Sequence, residues 1–385
     1  MRTASVLLLA ALLGGVSLVG AQSSQFGSRG LGLPGRGLSV DALGTEGATG
    51  LFSSGSSLNP AALGLLNSSL TSFSTIQEWR TSENPAGSGS TREQRFPMIA
   101  IAGPIPRSNF SVGVNYSTYA NRDFLLVSEG TAAPRGEPIA VTDSVGSTGG
   151  LSDFQVALAY NLRDKVYLGV GVHLLTGSNR VFSNRAWADS TYLPTRQSAE
   201  LTYLGTGVSA GVVVRLSPAL AIAGMARYDG ALDVERDSAA TGSIDLPATL
   251  AGGVRWQPSP RVAFAGHVAA RTWSRADDGI VALGGVAARN TIEVAAGLEW
   301  YRNLRRPEQL PLRVGIRRSE LPFLLVQGSQ PRELGVSIGT GLRFARGIGG
   351  LDLALERIRR TQGDDYTESA WQFSLGVSLR GVLSN

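Results

Sequence analysis

The chain has 385 residues, of which 43% are hydrophobic and only 17% charged, with a formal net charge of +5; a typical soluble domain carries roughly 25% charge. It holds 49 Gly against 17 Pro, no Cys, and two His, His173 and His267. These figures exclude a collagen-like or Pro-rich disordered chain, a disulfide framework, a zinc–thiolate site and a thiol nucleophile.

Residues 1–21 read as an export signal. Met1-Arg2 gives a short positive start, Ala4 to Gly20 an apolar core, and Val19-Gly20-Ala21 a small-residue cleavage site, so the mature chain is expected to start at Gln22. The alternative is an N-terminal membrane anchor, but the run is short for a span of about 20 residues. Beyond residue 21 the longest apolar runs, such as Ile280 to Ala288, are about half the length of a membrane helix.

Residues 22–67 show no strand pattern. The segment is rich in Gly and Ser and then reads Leu58-Asn59-Pro60-Ala61-Ala62-Leu63-Gly64. It is either a small hatch inside a barrel or a periplasmic tail. Leu31, Leu33, Leu38, Leu43, Leu51 and Phe52 make it more apolar than disordered chain usually is. Pro60 fixes its own φ and holds Asn59 extended, and the Asn59 amide can donate and accept. The same dipeptide also serves as a plain turn signal.

From residue 68 the hydrophobic period is two. Phe110, Val112, Val114 and Tyr116 alternate with Ser111, Gly113 and Asn115; Leu334, Val336, Ile338 and Leu342 alternate with Gly335, Ser337, Gly339 and Gly341. Side chains alternate across a strand, so one face is oily and the other small or polar. The second face has too little Lys, Glu and Asp for a water-exposed surface. An outer-membrane barrel explains both faces: the oily one meets lipid, and the small one lines the lumen. About fourteen strands are expected over residues 68–385: 68–81, 92–103, 108–121, 151–161, 165–178, 197–215, 219–231, 245–257, 260–274, 290–302, 310–319, 332–345, 349–360 and 368–382.

The connections support this count, because they alternate. Gly103 to Arg107, Asn161 to Lys165, Leu216 to Pro218, Gln257 to Pro260 and Arg346 to Gly349 are short, and Asn303 to Gln309 is intermediate. Segments 122–150, 179–196, 232–244, 275–289 and 320–331 are long. Outer-membrane barrels have short periplasmic turns and longer outer loops, so both termini are expected on the periplasmic side.

This order of signal, Gly-rich hatch with Asn59, Pro60 and Ala61, and about fourteen strands resembles the FadL/TodX family of outer-membrane channels for hydrophobic compounds. The family's motif commonly has Gly where this chain has Ala62. The resemblance covers the mature chain in architecture but only those few residues in motif. PorV-type barrels, which assist secretion in some bacteria, share the architecture. The resemblance implies passive uptake of small hydrophobic molecules. The alternatives are a non-transporting scaffold or secretion accessory with a secretion-machinery partner, and a general porin. The expected surroundings are outer-membrane lipid and lipopolysaccharide.

Strand parity sends Arg227, Arg255, His267, Arg271, Glu293, Glu299, Arg313, Arg317, Arg343, Asp352, Glu356 and Arg380 into the lumen. They form either a salt-bridge ladder bracing the wall or a polar constriction. Asp277-Asp278 and Asp364-Asp365 fall in outer loops. Tyr and Trp near strand ends, among them Tyr203, Tyr228, Trp256, Trp273, Tyr301 and Trp371, suit interfacial girdles or a ligand path. Pro97 and Pro247 each remove a ladder donor inside a strand, which implies a bulge or local opening. In the FadL-like reading such a kink is a candidate lateral exit. Ser337, facing inward, should accept a large side chain better than lipid-facing Val336. No cofactor or metal is expected. An enzyme is not expected either, since both His face the lumen. Dispersed Arg gives no basic stripe for nucleic acid.

Overall fold

The computed structural model describes residues 24–381 except 86, 135, 284–286 and 307–308. The export signal 1–21 and residues 382–385 lie outside the described residues. Fourteen long strands form the wall. They are β1 (Leu70–Asn84), β2 (Gly87–Pro104), β3 (Phe110–Asn121), β4 (Ile139–Leu162), β5 (Val166–Trp187), β6 (Thr195–Ser217) and β7 (Leu220–Arg236). Then come β8 (Ala248–Ser259), β9 (Val262–Arg271), β10 (Thr291–Trp300), β11 (Leu312–Glu320), β12 (Arg332–Phe344), β13 (Gly349–Gln362) and β14 (Tyr366–Arg380). Each pairs antiparallel with its neighbours, and β14 closes on β1 from Thr367↔Glu83 to Arg380↔Leu70. This is the closed all-β, transmembrane antiparallel barrel that the alternation implies. Closure removes the sheet edges, so backbone N–H and C=O groups facing lipid find partners within the wall.

The two faces sort by size. Val170, Val172, Ile316 and Val336 are exposed on the outside, while Ala157, Ser209, Ala223 and Ala354 are buried on the inside. The lumen has no room to be empty. Residues 24–69 fill it as one-turn helices and loops, including a helical turn Val40–Leu43 and a 3-10 helix Pro60–Leu65.

Three expectations need correction. First, segments 122–150, 179–196 and 232–244 are largely strand. Phe124–Ala132 pairs with the upper part of β4, β5 runs on to Trp187, and Ala239–Asp245 pairs with β7. Beyond the membrane the outer faces of these hairpins meet water, so the oily outward alternation that reveals a strand is missing, while inward Leu232, Val234 and Ile244 pack in the cluster around Leu31. Second, 82–91 is a continuation of the β1–β2 hairpin, which pairs out to Asn84↔Gly87. Third, Leu70 and Arg380 do sit at the short-turn end, but the hatch begins at the opposite end. The Ser24 hydroxyl donates to Glu368 at 2.8 Å, and the Gln25 amide donates to the Thr367 carbonyl at 3.0 Å, near the outer β13–β14 turn. The segment thus runs the length of the lumen before β1 starts.

Candidate functional site: the hatch, the lumen charges and a break in the wall

Asn59 is 2% exposed and caps the Pro60–Leu65 helix. Its Oδ1 accepts from the Ala61 backbone N–H at 3.0 Å, while Nδ2 donates to the Leu51 carbonyl at 3.0 Å and to the Val212 carbonyl of β6 at 3.4 Å. One side chain therefore ties helix, hatch and wall. The wall admits this contact through glycine. A Cβ at Gly211 would lie 1.9 Å from Asn59 Oδ1, and one at Gly169 would lie 2.2 Å from the Ala61 nitrogen. Ala61 and Ala62 are fully buried there.

Parity places the charges of β7–β13 inward, and the structure joins them into networks. His267 Nε2 lies 3.0 Å from Glu293, which Arg271 also meets at 3.5 Å and Arg317 at 4.0 Å. Arg255 and Arg313 share Glu299 at 3.1 and 3.4 Å, and Arg313 and Arg343 share Asp352 at 3.1 and 2.9 Å. Arg380 instead lies exposed at the rim. The hatch takes part in these networks. Glu46 meets Arg317 at 3.1 Å and Arg36 at 3.0 Å, and Arg36 meets Glu356 at 2.7 Å. Near the other end, burial pushes the Asp41 carboxyl up, but Arg313, Ser39, Arg343 and Ser53 outweigh it and hold its pKa below the ordinary aspartate range.

Sequence reasoning missed part of this network. Arg317 and Arg360 both bind Glu333, Arg360 also binds Glu368, and Arg80 bridges Glu78 at 2.6 Å and Glu368 at 3.3 Å. The same alternation that sends Leu334 outward turns Glu333 inward, so these wall residues were legible. Arg36 and Glu46 were not, because the hatch has no period to read.

A second cluster has the distances of a serine relay. His173 Nδ1 lies 2.9 and 3.0 Å from the Asp153 carboxylate, and Nε2 lies 2.9 Å from Ser209 Oγ. Arg227 donates to the same carboxylate at 2.6 Å. His173, Asp153 and Ser209 are 4%, 2% and 5% exposed. The cluster joins β4 to β7 as a buried hydrogen-bonded chain.

Among the described residues the wall is interrupted between β2 and β3. β2 pairs with β3 only from Met98↔Ser117 to Pro104↔Ser111. Above Met98, β2 stays with β1, and the register slips where Ser74 and Ile76 oppose Met98 and Arg95, leaving Phe96-Pro97 as the bulge. Pro97 has no N–H to offer β3 there. Above Ser117, β3 instead pairs with the hatch, through Leu33↔Asn121 and Pro34↔Ala120, and the Gly35 N–H donates to the Tyr119 carbonyl at 2.7 Å. Gly35 and Gly32 permit this approach, since a Cβ would lie 1.8 Å from the Thr118 oxygen and 2.1 Å from the Asn121 oxygen respectively. Pro247 gives no such opening. It lies between two segments that both pair with β7, and Leu246 keeps the ladder through the Gly230 carbonyl at 3.1 Å.

Two cavities lie near this hatch strand, one beside Leu31 and one against Leu33 and Pro34. One of about 390 Å³ opens among the outer hairpins and is lined by Leu31, Phe182, Leu201, Val234 and Ile280, with Arg122 beside them. One of about 120 Å³ lies in the lumen against Leu33, Pro34, Pro97, Met98 and Thr118. Of the strand-end aromatics, Tyr203 and Trp273 are buried in the cluster around Leu31, and the Tyr301 hydroxyl takes a hydrogen bond from Arg255 at 2.8 Å in the lumen. Tyr228, Trp256 and Trp371 face outward.

An oily outer band, a closed ring and a plugged, charged lumen define a transmembrane barrel of the outer-membrane type with an internal hatch. Solved structures share this fold. A FadL homologue of Pseudomonas aeruginosa matches with a TM-score of 0.61 at 14% identity, over 90% of this chain and 99% of that one. The monoaromatic hydrocarbon channel CymD matches with a TM-score of 0.57 at 15% identity, over 91% and 99%. The Pseudomonas putida toluene transporter TodX matches with a TM-score of 0.54 at 14% identity, over 85% and 93%. At these identities the likeness is one of fold, and it is the FadL-type fold. No family model and no curated protein matches the chain.

Proposed function

We propose that the protein is a channel through which small hydrophobic molecules pass by diffusion from the outer cavity into the wall at the β2–β3 break. The observation that carries this reading is the substitution of hatch for wall. At the β2–β3 seam, β3 is completed by Leu33 and Pro34 and not by β2. A wall strand there would add a long ladder of hydrogen bonds, whereas the two-residue hatch pairing has few to release. An apolar solute entering beside Leu31 reaches the seam once that segment shifts and the Asn121 amide, which donates to Glu93 across the seam at 3.1 Å, gives way. It then leaves sideways into lipid without crossing the charged lower lumen. The lumen filled by residues 24–69 argues against a general porin. The fold likeness to channels for hydrocarbons supports the same class of solute.

The test is a reversible lock. Pro34→Cys with Ala120→Cys places two thiols on directly opposed residues, which in antiparallel pairs have Cα atoms about 4.5–5.5 Å apart, within disulfide reach. The native chain has no Cys to interfere. Oxidised protein in vesicles should pass a hydrophobic fluorescent probe no faster than protein-free vesicles, and reduction should restore the rate. Unchanged passage in the oxidised state would exclude this route.

A further inference from the structure

We propose that the outer wall across β11–β14 and β1–β2 binds a bisphosphorylated glycolipid of the outer leaflet, holding its phosphates on a set of unpaired arginines. This inference concerns the lipid face and stands apart from the transport reading.

The register builds the patch. Arg357, Trp371, Trp79 and Arg92 lie side by side on β13, β14, β1 and β2. Arg357 stacks on Trp371 at 5.2 Å and Arg92 on Trp79 at 5.6 Å. One row toward the outer loops, Arg318 and Arg359 flank Leu334, and Arg332 follows at the start of β12. All five arginines are exposed on the outward face. Among the described residues none of them has an ion pair. Glu320, directly opposite Arg332, instead accepts a hydrogen bond from the Ile292 backbone N–H at 3.0 Å. Glu83 is the acidic residue turned outward nearby, and it lies three strands from Arg332. Asp364 and Asp365 sit above, in the exposed β13–β14 turn.

The height matters as much as the charge. On β12 and β11 the outward residues Val336 and Ile316 share the row of Arg357, and one row below it the outward residues are Leu355 and Phe373. The change from aliphatic to Arg and Trp marks the upper edge of the apolar band, where Trp sits at headgroup level and arginine costs only about 0–1 kcal/mol. Five unpaired cations at that level face the outer-leaflet headgroups. Guanidinium groups grip phosphate with paired N–H donors, and the tryptophans hold two of them in place. Strands are about 4.8 Å apart, so Arg318 and Arg359 are roughly 10 Å apart and Arg357 and Arg92 roughly 14 Å. That span suits a headgroup with two separated phosphates better than a single phosphate.

The experiment titrates the full chain in detergent micelles with diphosphoryl lipid A and, separately, with phosphatidylethanolamine, reading bound lipid by native mass spectrometry. Each basic residue near an anionic surface contributes roughly a factor of five, so the triple variant Arg318→Gln, Arg357→Gln, Arg359→Gln should bind lipid A about a hundredfold more weakly. Its weak phosphatidylethanolamine binding should not change. Arg180→Gln, on β5, should match wild type for both lipids. Folding is checked by heat-modifiable electrophoretic mobility; if the triple variant fails it, Arg359→Gln alone should still show about a fivefold loss. Equal lipid A binding by the folded variants and wild type would overturn the proposal. So would equal binding of the two lipids by wild type, or full displacement of lipid A by millimolar inorganic phosphate, which would make the site one for phosphate alone.

Discussion

Arg317 is 2% exposed and lies against Glu46 of the hatch and Glu293 and Glu333 of the wall. A buried charge in this position is costly unless paired, and removing one partner leaves the others uncompensated. Arg317→Met should therefore cost about 3–5 kcal/mol in urea unfolding from lipid vesicles. The same variant should expose Arg36 to trypsin, because Glu46 would lose one of its two cationic partners. Ser337 shows where reading by face alone falls short. It points inward as the alternation says, but its hydroxyl accepts the Glu46 backbone N–H at 3.0 Å and it is 3% exposed. Val336, directly opposite Arg357, lies at the upper edge of the apolar band, so Val336→Arg should cost only about 0–1 kcal/mol, in place of about 2–4 at a midplane site. Ser337→Arg is no longer expected to be mild: it should dislodge the hatch, detected as faster tryptic cleavage after Arg36 on a barrel that remains folded. Asp41 adds an acid limit. Its pKa is depressed in the folded state, so its stabilising contribution is complete above the unfolded value and is lost as pH falls through the folded one. On the account of Asp41, hatch protection should weaken as pH falls below the ordinary aspartate range.

At the scale of elements, the hatch strand is defined by what it lacks. Gly35 sits where a Cβ would overlap the Thr118 carbonyl oxygen. Gly35→Ala should lift Leu33 and Pro34 off β3 without disturbing the β3–β4 pairing, which runs from Phe110↔Tyr160 to Asn121↔Gly150. A bimane label on Leu33→Cys should then be quenched more strongly by nitroxide-bearing lipid in the Gly35→Ala background. Equal quenching in both backgrounds would mean that the hatch strand does not guard the seam. Elements of this kind also mark how far the sequence can be read. β8 to β14 were legible because their outer faces must satisfy lipid, which enforces strict alternation. The upper parts of β4, β5 and β7 were not, since an outer face that meets water imposes no such pattern, whereas β6 was legible over nearly its whole length. The hatch was visible as an apolar, aperiodic segment with an Asn-Pro-Ala sequence. Its pairing with β3 was not, because two residues of strand carry no period and the partner lies nearly ninety positions away. Pro97 was the one local signal for the seam, through its missing donor.

For the whole molecule, the wall and the hatch are separable in principle. The fourteen strands pair with one another around a full ring, so the wall's hydrogen bonds do not depend on residues 24–69, apart from the Leu33–Pro34 segment at the seam. Topology is checked first. A thiol introduced by Gly130→Cys, on the hairpin beyond β3, should label from outside intact cells, and one at Ser259→Cys, by the short β8–β9 turn, only after permeabilisation. Equal surface labelling at both would reverse or break the arrangement. Deleting residues 25–60 then removes the hatch while keeping the strands. Without Arg36, Asp41 and Glu46, the wall charges of β10–β13 would face water rather than protein, and water would enter around them. The intact protein should be nearly closed to small polar solutes in a liposome-swelling assay, and the truncated one should leak them. Passage of a hydrophobic probe should change too, because the outer cavity would lose Leu31 and the seam would lose Leu33 and Pro34. If both proteins pass both kinds of solute equally, the hatch neither plugs the lumen nor shapes the route, and a channel gated at β2–β3 is excluded.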